Sequence, residues 1–392
     1  MNKDSWEVMQ LCNLCDSING LWKGKKEPFI KVGVIRNTNF TKDCKLDSIN
    51  IEYLEVEEKQ YSSRQLFFGD LILEKSGGGP KQPVGRIVPF EILEGDFSFS
   101  NFTSVLRIKD QRIIFYKFLY MFLLHFYRTG KTEKLQSNTT GIRNLDLKAY
   151  KSVSVPLPPL PIQKKIVKEL DTLSDIITKK KEQLAELDKL AQATFYDMFG
   201  DPIKNEKRWV NKKLSEVCHF VGGGTPPKAN QNYYQGAIPW ATVRDMSSFY
   251  LKNTEFKINE EAIKKSATNI IPKGSIIIAT RVGLGKVCLL KQDTAINQDL
   301  KGVIPNEELN NIYLGYWFKE MADEIIANGE GATVKGVTLK FIHNLNIFLP
   351  PILFQTQFAE KIESIEKQKA VINQSITDTQ LLFDYTMDKY FN

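Results

Sequence analysis

The sequence predicts an α+β protein: two tandem α/β domains separated by two long antiparallel coiled-coil helices, the halves related by a pseudo-two-fold internal repeat. Three observations carry the prediction. LPPLPIQ at 157–163 returns as LPPILFQ at 349–355, 192 residues further on in a chain of 392. Each copy opens a long run free of Gly and Pro whose apolar residues recur in steps of four and three. Each copy also follows about 150 residues of short β-type runs broken by Gly and Pro, a mixed sheet-and-helix pattern.

The repeat reaches well beyond the prolines. At the offset of 192, Ile142, Arg143, Leu145, Leu147 and Lys148 fall on Val334, Lys335, Val337, Leu339 and Lys340, and the match runs on to Phe199 over Phe391. At an offset of 203, Trp6, Leu11, Cys15 and Gly20 fall on Trp209, Leu214, Cys218 and Gly223. A colinear series of this extent argues for two copies of one unit, diverged in the middle. The chain divides into a first domain at 1–156, a helix at 157–200, a second domain at 201–349 and a second helix at 350–392.

Within the first domain, LFFGDLILEKSGGGPKQPVGRI (66–87) reads as a strand, a basic Gly-rich turn and a return strand. IIPKGSIIIATRVGLGKVCLL (270–290) repeats that pattern in the second domain. FIKVGVIRN (29–37) resembles AIPWATVRD (237–245), with Arg36 over Arg244. QRIIFYKFLYMFLLHFYRTG and NNIYLGYWFKEMADEIIANG read as helices that stop at Gly. The first of them, carrying Lys117 and His125, is too short to span a bilayer and reads as a core helix. Trp6, Trp209, Trp240 and Trp317 read as core anchors.

Pro158, Pro159 and Pro161 fix an extended approach to the first long helix, because Pro is tolerated at a helix start and not in its interior. Its seam is Ile166, Leu170, Leu173, Ile177, Leu184 and Leu187, continued by Ala191 and Met198. In the second copy the seam is Phe358, Ile362, Ile365, Ile372, Ile376 and Phe383, continued by Tyr390. So narrow a stripe needs a coiled-coil partner, and the simplest is the other copy's helix, packed antiparallel. About 36 residues at 1.5 Å rise make a rod of roughly 54 Å.

Composition narrows the function. Hydrophobic content of 42% and charged content of 25% are ordinary for a globular protein. No apolar run approaches the roughly 20 residues of a membrane span, and MNKDSWEVMQ lacks the apolar core of a signal peptide, so a cytoplasmic location is expected. The five cysteines read as free thiols, since the CxxC of Cys12 and Cys15 has no second ligand pair. Net charge is +7, while 158–200 carries seven Lys against seven acidic residues and 350–392 four Lys against six. The positive excess therefore lies outside the helices, which fits a phosphate-binding surface.

No catalytic constellation is present. FVGGG (220–224) matches the form of a methyltransferase cofactor loop, but the Asn/Asp-Pro-Pro-aromatic partner such enzymes need is absent. The stretch reads better as a mobile glycine turn with backbone N–H groups free for phosphate. VGLGKV (282–287) lacks the spacing of a phosphate-cradling loop, and neither Gly-x-Ser-x-Gly nor His-Glu-x-x-His occurs. Three scattered His leave few acid–base candidates, which favours a recognition protein over an enzyme.

On LPPLPIQKKI and LPPILFQTQF with their helices, and on GGGTPPKANQNYYQGAIPWATVRDM (222–246), the whole chain resembles the specificity subunit of a type I restriction–modification system. The first copy departs from the pattern, because SINGLWKGKKEPFIKVGVIRN lacks the Gly-Gly-Thr-Pro run. The resemblance implies two target-recognition domains, each reading one half of a split, asymmetric site on double-stranded DNA. It implies that the helices set the spacer and dock two modification subunits, which carry S-adenosylmethionine and methylate adenine N6. Two restriction subunits, using ATP and Mg, would join through them. No cofactor, metal, membrane contact or catalysis is expected of this subunit itself, and the host would be bacterial or archaeal. Two other readings stay open: a related assembly whose partner fuses methylation and cleavage, and a coiled-coil scaffold that binds no DNA.

The expected DNA contacts are basic or small residues on turns. In the second copy they are Gly222, Gly223, Gly224, Thr225, Lys228, Arg244, Arg281, Lys286, Thr333 and Lys335. In the first copy they are Arg36, Asn37, Lys75, Lys81, Arg86, Thr140 and Arg143, with Ser76 to Gly79 letting the backbone approach DNA closely.

Overall fold

The computed structural model describes residues 5–22, 24, 26–79, 82–139, 142–331 and 335–392. The chain forms two compact units, Met1–Lys180 with Ser375–Asn392, and Lys181–Gln374.

In the first unit a four-stranded antiparallel sheet runs in the order Cys15–Asn19, Thr103–Ile108, Leu71–Glu74, Ile87–Pro89. A second sheet sets Phe29–Ile35 between antiparallel Glu52–Glu57 and parallel Phe97–Phe99. A hairpin of Gln136–Thr139 and Ile142–Leu145 takes Ser76–Gly78 as a third strand.

The second unit repeats this plan. Cys218–Gly222, Leu300–Pro305, Ile276–Ala279 and Val287–Leu290 follow the same order, with Tyr250–Leu251 added in parallel at the edge. Ile238–Ala241 lies between antiparallel Phe256–Ile258 and parallel Thr294–Ile296, and Ile270–Ile271 extends that sheet.

The apolar strands are buried on both faces, which is why they read as unbroken hydrophobic runs. Ile276 and Ile278 pack with the helix Asn311–Glu320, while Ile277 and Ala279 pack with Ala241 and Ile296 on the opposite face. Leu71 and Leu73 likewise join Phe118 and Phe122, and Ile72 turns to Ile35 and Phe99. Each unit therefore stacks a helix, a central sheet and a smaller sheet.

The helix Tyr116–Arg128 forms within the expected segment and buries Phe118, Leu119, Phe122 and Leu123. Its counterpart is broken: Asn311–Glu320 ends at Met321, and Ala322–Ala327 follows. Trp240 and Trp317 are buried, and Trp6 packs against the first core.

Each domain is closed by pairing its first strand with its last. Glu7 lies opposite Leu157 in one unit and Val210 opposite Leu349 in the other. The opening strand is thus displaced by 203 and the closing strand by 192, the two offsets of the sequence repeat. After each closing strand come two prolines, then the long helices Leu160–Phe199 and Ile352–Phe391.

The helices pair antiparallel within each unit. In the first, Ile166 and Leu170 share a core with Phe383, Met387 and Tyr390, and the Tyr390 hydroxyl donates to Glu169 at 2.8 Å. In the second, Leu187, Ala191 and Phe195 meet Phe358, Ile362 and Ile365, and Lys369 pairs with Asp188 at 2.8 Å. Both pairs also lie against their own domain's core, so the packing is broader than a two-stranded coiled coil.

The glutamine of each proline motif ties these parts together. Gln163 Oε1 accepts from the Phe115 N–H at 2.8 Å, and its Nε2 donates to the Ile113 and Pro158 carbonyls at 2.9 Å each. Gln355 accepts from the Asn310 N–H at 2.8 Å and donates to the Glu308 and Pro350 carbonyls at 3.0 and 2.8 Å. Both side chains are fully buried and satisfy backbone groups at the start of a domain helix.

Candidate nucleic-acid interface

In the first unit the expected residues gather where the hairpin strand Leu71–Glu74 leaves the sheet. Lys75 Nζ donates to Asn19 Oδ1 at 2.8 Å, and burial pulls the lysine below its ordinary pKa. Ser76 Oγ donates to Asn144 Oδ1 at 2.6 Å, which brings the turn beside Arg143. Arg36 pairs with Glu52, both side chains being well exposed. Asn37 approaches Gly77, whose positive φ of 102° only glycine adopts without strain.

Arg86 departs from the expectation. Its guanidinium is buried and makes two 2.8 Å bonds to Glu74, with further bonds to the Phe40 and Asn37 carbonyls. The Glu74 carboxylate raises the arginine's pKa further, so this pair braces the turn and commits four of the five guanidinium N–H groups inside the protein. Lys81 and Thr140 lie outside the described residues.

In the second unit Arg281 stands at the end of the strand Ile276–Ala279 with its side chain 57% exposed, 3.8 Å from Asp299. Lys286 Nζ reaches the Val243 carbonyl at 3.4 Å, next to exposed Arg244. Thr280 O accepts from the Val337 N–H at 2.9 Å, which holds the segment after exposed Lys335 against Arg281. Lys228 is exposed on a separate loop pinned by Tyr234 to Pro226. Thr333 lies outside the described residues.

The glycines behave differently from the mobile phosphate-binding turn expected of them. Gly222 ends a strand, and its carbonyl accepts from Asn269 Nδ2 at 2.8 Å. The Gly224 N–H is spent on the Ile296 carbonyl at 3.0 Å. A Cβ on Gly223 would sit 2.0 Å from the Asn297 carbonyl, and one on Gly224 would sit 2.4 Å from the Ala267 backbone. Close backbone approach demands Gly223 and Gly224, not an anion. Thr225 donates its hydroxyl to Gln298.

Sequence reasoning favoured bases and glycines and missed the amide and carboxylate partners: Asn19, Glu74 and Asn144 in the first unit, Asn269, Gln298 and Asp299 in the second. The signal was the pairing of NQD at 297–299 with the TR of Thr280 and Arg281, distant in sequence and adjacent across neighbouring strands.

All five cysteines are free, and burial pushes the Cys15, Cys218 and Cys288 thiols up to about 12. Among the described residues no cluster of His, Cys, Asp and Glu is placed to hold a metal ion, and no helix is long and apolar enough to cross a membrane. The two sites combine exposed or half-buried cations with amide side chains on hydrogen-bonded turns, groups that bind phosphates and base edges.

A family model described as the type I restriction modification DNA specificity domain matches the chain twice, at residues 3–189 and 206–379. The specificity subunit of the type I restriction enzyme EcoR124I/EcoR124II of Escherichia coli is 30% identical over 246 residues, 59% of this chain and 58% of that protein. Among solved structures, a chain from a study of assembly and conformational transition of the type I R-M system superposes with a TM-score of 0.60 at 18% identity, covering 99% of this chain and 97% of its own. The type I restriction–modification S subunit of M. genitalium gives 0.55 at 14% identity, covering 99% and 96%. At these identities the structural likeness is one of fold. The two family matches, each spanning one copy of the repeat, make the chain a member of the type I restriction modification DNA specificity family.

Proposed function

We propose that the chain is the DNA sequence-recognition subunit of a type I restriction–modification complex and is not itself an enzyme. Its domains at 1–156 and 201–349 each read one half of a bipartite, asymmetric site on double-stranded DNA. The observation that carries this is the duplicated cluster of cations and amides on braced turns, found in both copies of a DNA-specificity domain. Arg36, Lys75 and Arg143 serve one half-site; Arg244, Arg281, Lys286 and Lys335 serve the other.

The helices at 157–200 and 350–392 set the unread spacer and dock two modification subunits. Exposed Leu381, Leu382 and Tyr385 on the second long helix support a docking role, since such apolar surface is usually covered by a partner. The modification subunits supply S-adenosylmethionine and methylate adenine N6, and two restriction subunits supply ATP- and Mg-dependent cleavage, all within the cytoplasm of a bacterial or archaeal cell.

A gel shift with cognate modification subunits, titrated with salt, tests the reading. Steep salt dependence together with a preference for one DNA sequence is expected. Binding without sequence preference, or none, would leave only a coiled-coil scaffold. Within the complex, Arg281→Ala is expected to weaken recognition of one half-site; equal loss on all DNA would make Arg281 a phosphate contact.

A further inference from the structure

We propose that Asn101 and Gln298, one in each unit, are the side chains that read an adenine edge in the two half-sites. The proposal rests on the DNA-recognition reading and deepens it by naming the reading residue and the base.

Both residues occupy the middle of a three-residue turn that carries the chain from the smaller sheet to the central one. Ser100, Asn101 and Phe102 join Phe97–Phe99 to Thr103–Ile108; Asn297, Gln298 and Asp299 join Thr294–Ile296 to Leu300–Pro305. The two turns are fixed by the same backbone bonds. The Ser100 N–H donates to Ile35 O at 2.9 Å, and the Asn297 N–H to Ala241 O at 3.0 Å. Phe102 O accepts from Lys75 N at 3.0 Å, and Asp299 O from Thr280 N at 2.9 Å. Gly20 covers the Ser100 carbonyl and Gly223 the Asn297 carbonyl, where an added Cβ would come within 1.9 and 2.0 Å. A base reader needs such a rigid mount.

The flanking residues differ between the copies, Ser against Asn and Phe against Asp, yet the middle position is a carboxamide in both. Gln298 is exposed and Asn101 half-exposed. Asn101 makes no side-chain hydrogen bond among the described residues. Gln298 accepts from the Thr225 hydroxyl and gives one N–H toward Asp299 Oδ2 at 3.4 Å. That orients the amide and leaves one lone pair and one N–H unused. One acceptor and one donor side by side match the N6–H and N7 of adenine in the major groove; guanine, with two acceptors there, calls for the paired donors of Arg or Lys. Lys75 adjoins the first turn through its N–H bond to Phe102, and Arg281 flanks the second beside Asp299.

The test is selection from a randomised DNA pool by the chain assembled with its modification subunits, with the bound fragments sequenced. Wild type is expected to select an adenine in each half of its motif. Gln298→Ala is expected to lose the preference at one adenine of one half, by about 5- to 140-fold, and Asn101→Ala to do the same in the other half only. Gln298→Glu, which keeps the length and loses the donor, should match Gln298→Ala. Gln298→Met, with an unchanged thermal midpoint, carries the same expectation if the alanine variant folds poorly. Undiminished discrimination at every base, a uniform loss across all DNA, or a lost preference for another base overturns the proposal while the recognition reading stands. A wild type that selects no motif overturns both.

Discussion

At the scale of single residues, burial separates side chains that hold the fold from those free to bind. Arg86 and Arg36 looked alike in the sequence, as basic residues near turns. Arg86→Ala leaves Glu74 buried without its partner and is expected to cost about 3–5 kcal/mol in denaturant unfolding. Arg36→Ala breaks a solvated pair and is expected to change stability by under about 1 kcal/mol, with its effect seen in DNA binding. The difference was not legible because Glu74 becomes a buried carboxylate only once its strand is central. Gln163→Ala and Gln355→Ala each orphan one buried N–H and two carbonyls, and are expected to cost about 2–4 kcal/mol.

His125 gives a pH dependence of definite sign. Burial among Phe118, Phe391 and their neighbours lowers its pKa, outweighing the Asn392 contact at 3.2 Å and the nearby Asp388 carboxylate, while Lys131 and Arg128 push the same way as burial. The unfolded chain therefore binds this proton more readily than the folded one. The contribution is whole above the ordinary histidine pKa and is lost as pH falls below it toward the folded value. His125→Gln should flatten the slope of stability against pH between about 5 and 7. An unchanged slope would place the titration elsewhere.

At the scale of elements, the steps of four and three located the seam, and every seam residue is buried or half-buried. They did not show Val167, Phe195, Phe199, Met387 or Phe391, all buried off the stripe. Near its ends each helix touches both a partner helix and a domain, so its apolar face widens beyond a coiled-coil seam. Leu170→Ala, at a fully buried position, is expected to cost about 2–5 kcal/mol, and Leu184→Ala, half-buried, clearly less. Chemical denaturation of the two variants decides the order. The proline motifs were legible as helix starts, but the work of their glutamines was not, since the domain groups they bond lie some 45 to 50 residues away.

At the scale of the whole molecule, duplication was the strongest signal in the sequence, and it extends to sheet order, strand register and the bonds around the turn tips. The proposed recognition surfaces were the least legible part. They are assembled from strand ends distant in the chain, and their amide residues are too ordinary in composition to stand out. Deleting one heptad from Leu170–Leu187 with its counterpart in the second helix should change the unread spacer and leave both half-motifs intact. The central claim is that two copies of one domain read two half-sites independently. Its most direct measurement replaces residues 201–349 with the matching segment of a relative of different specificity and sequences the DNA that the assembled complex selects. One half of the motif should change while the other half and the spacer stay as they were; a change in both halves, or in neither, would contradict the account.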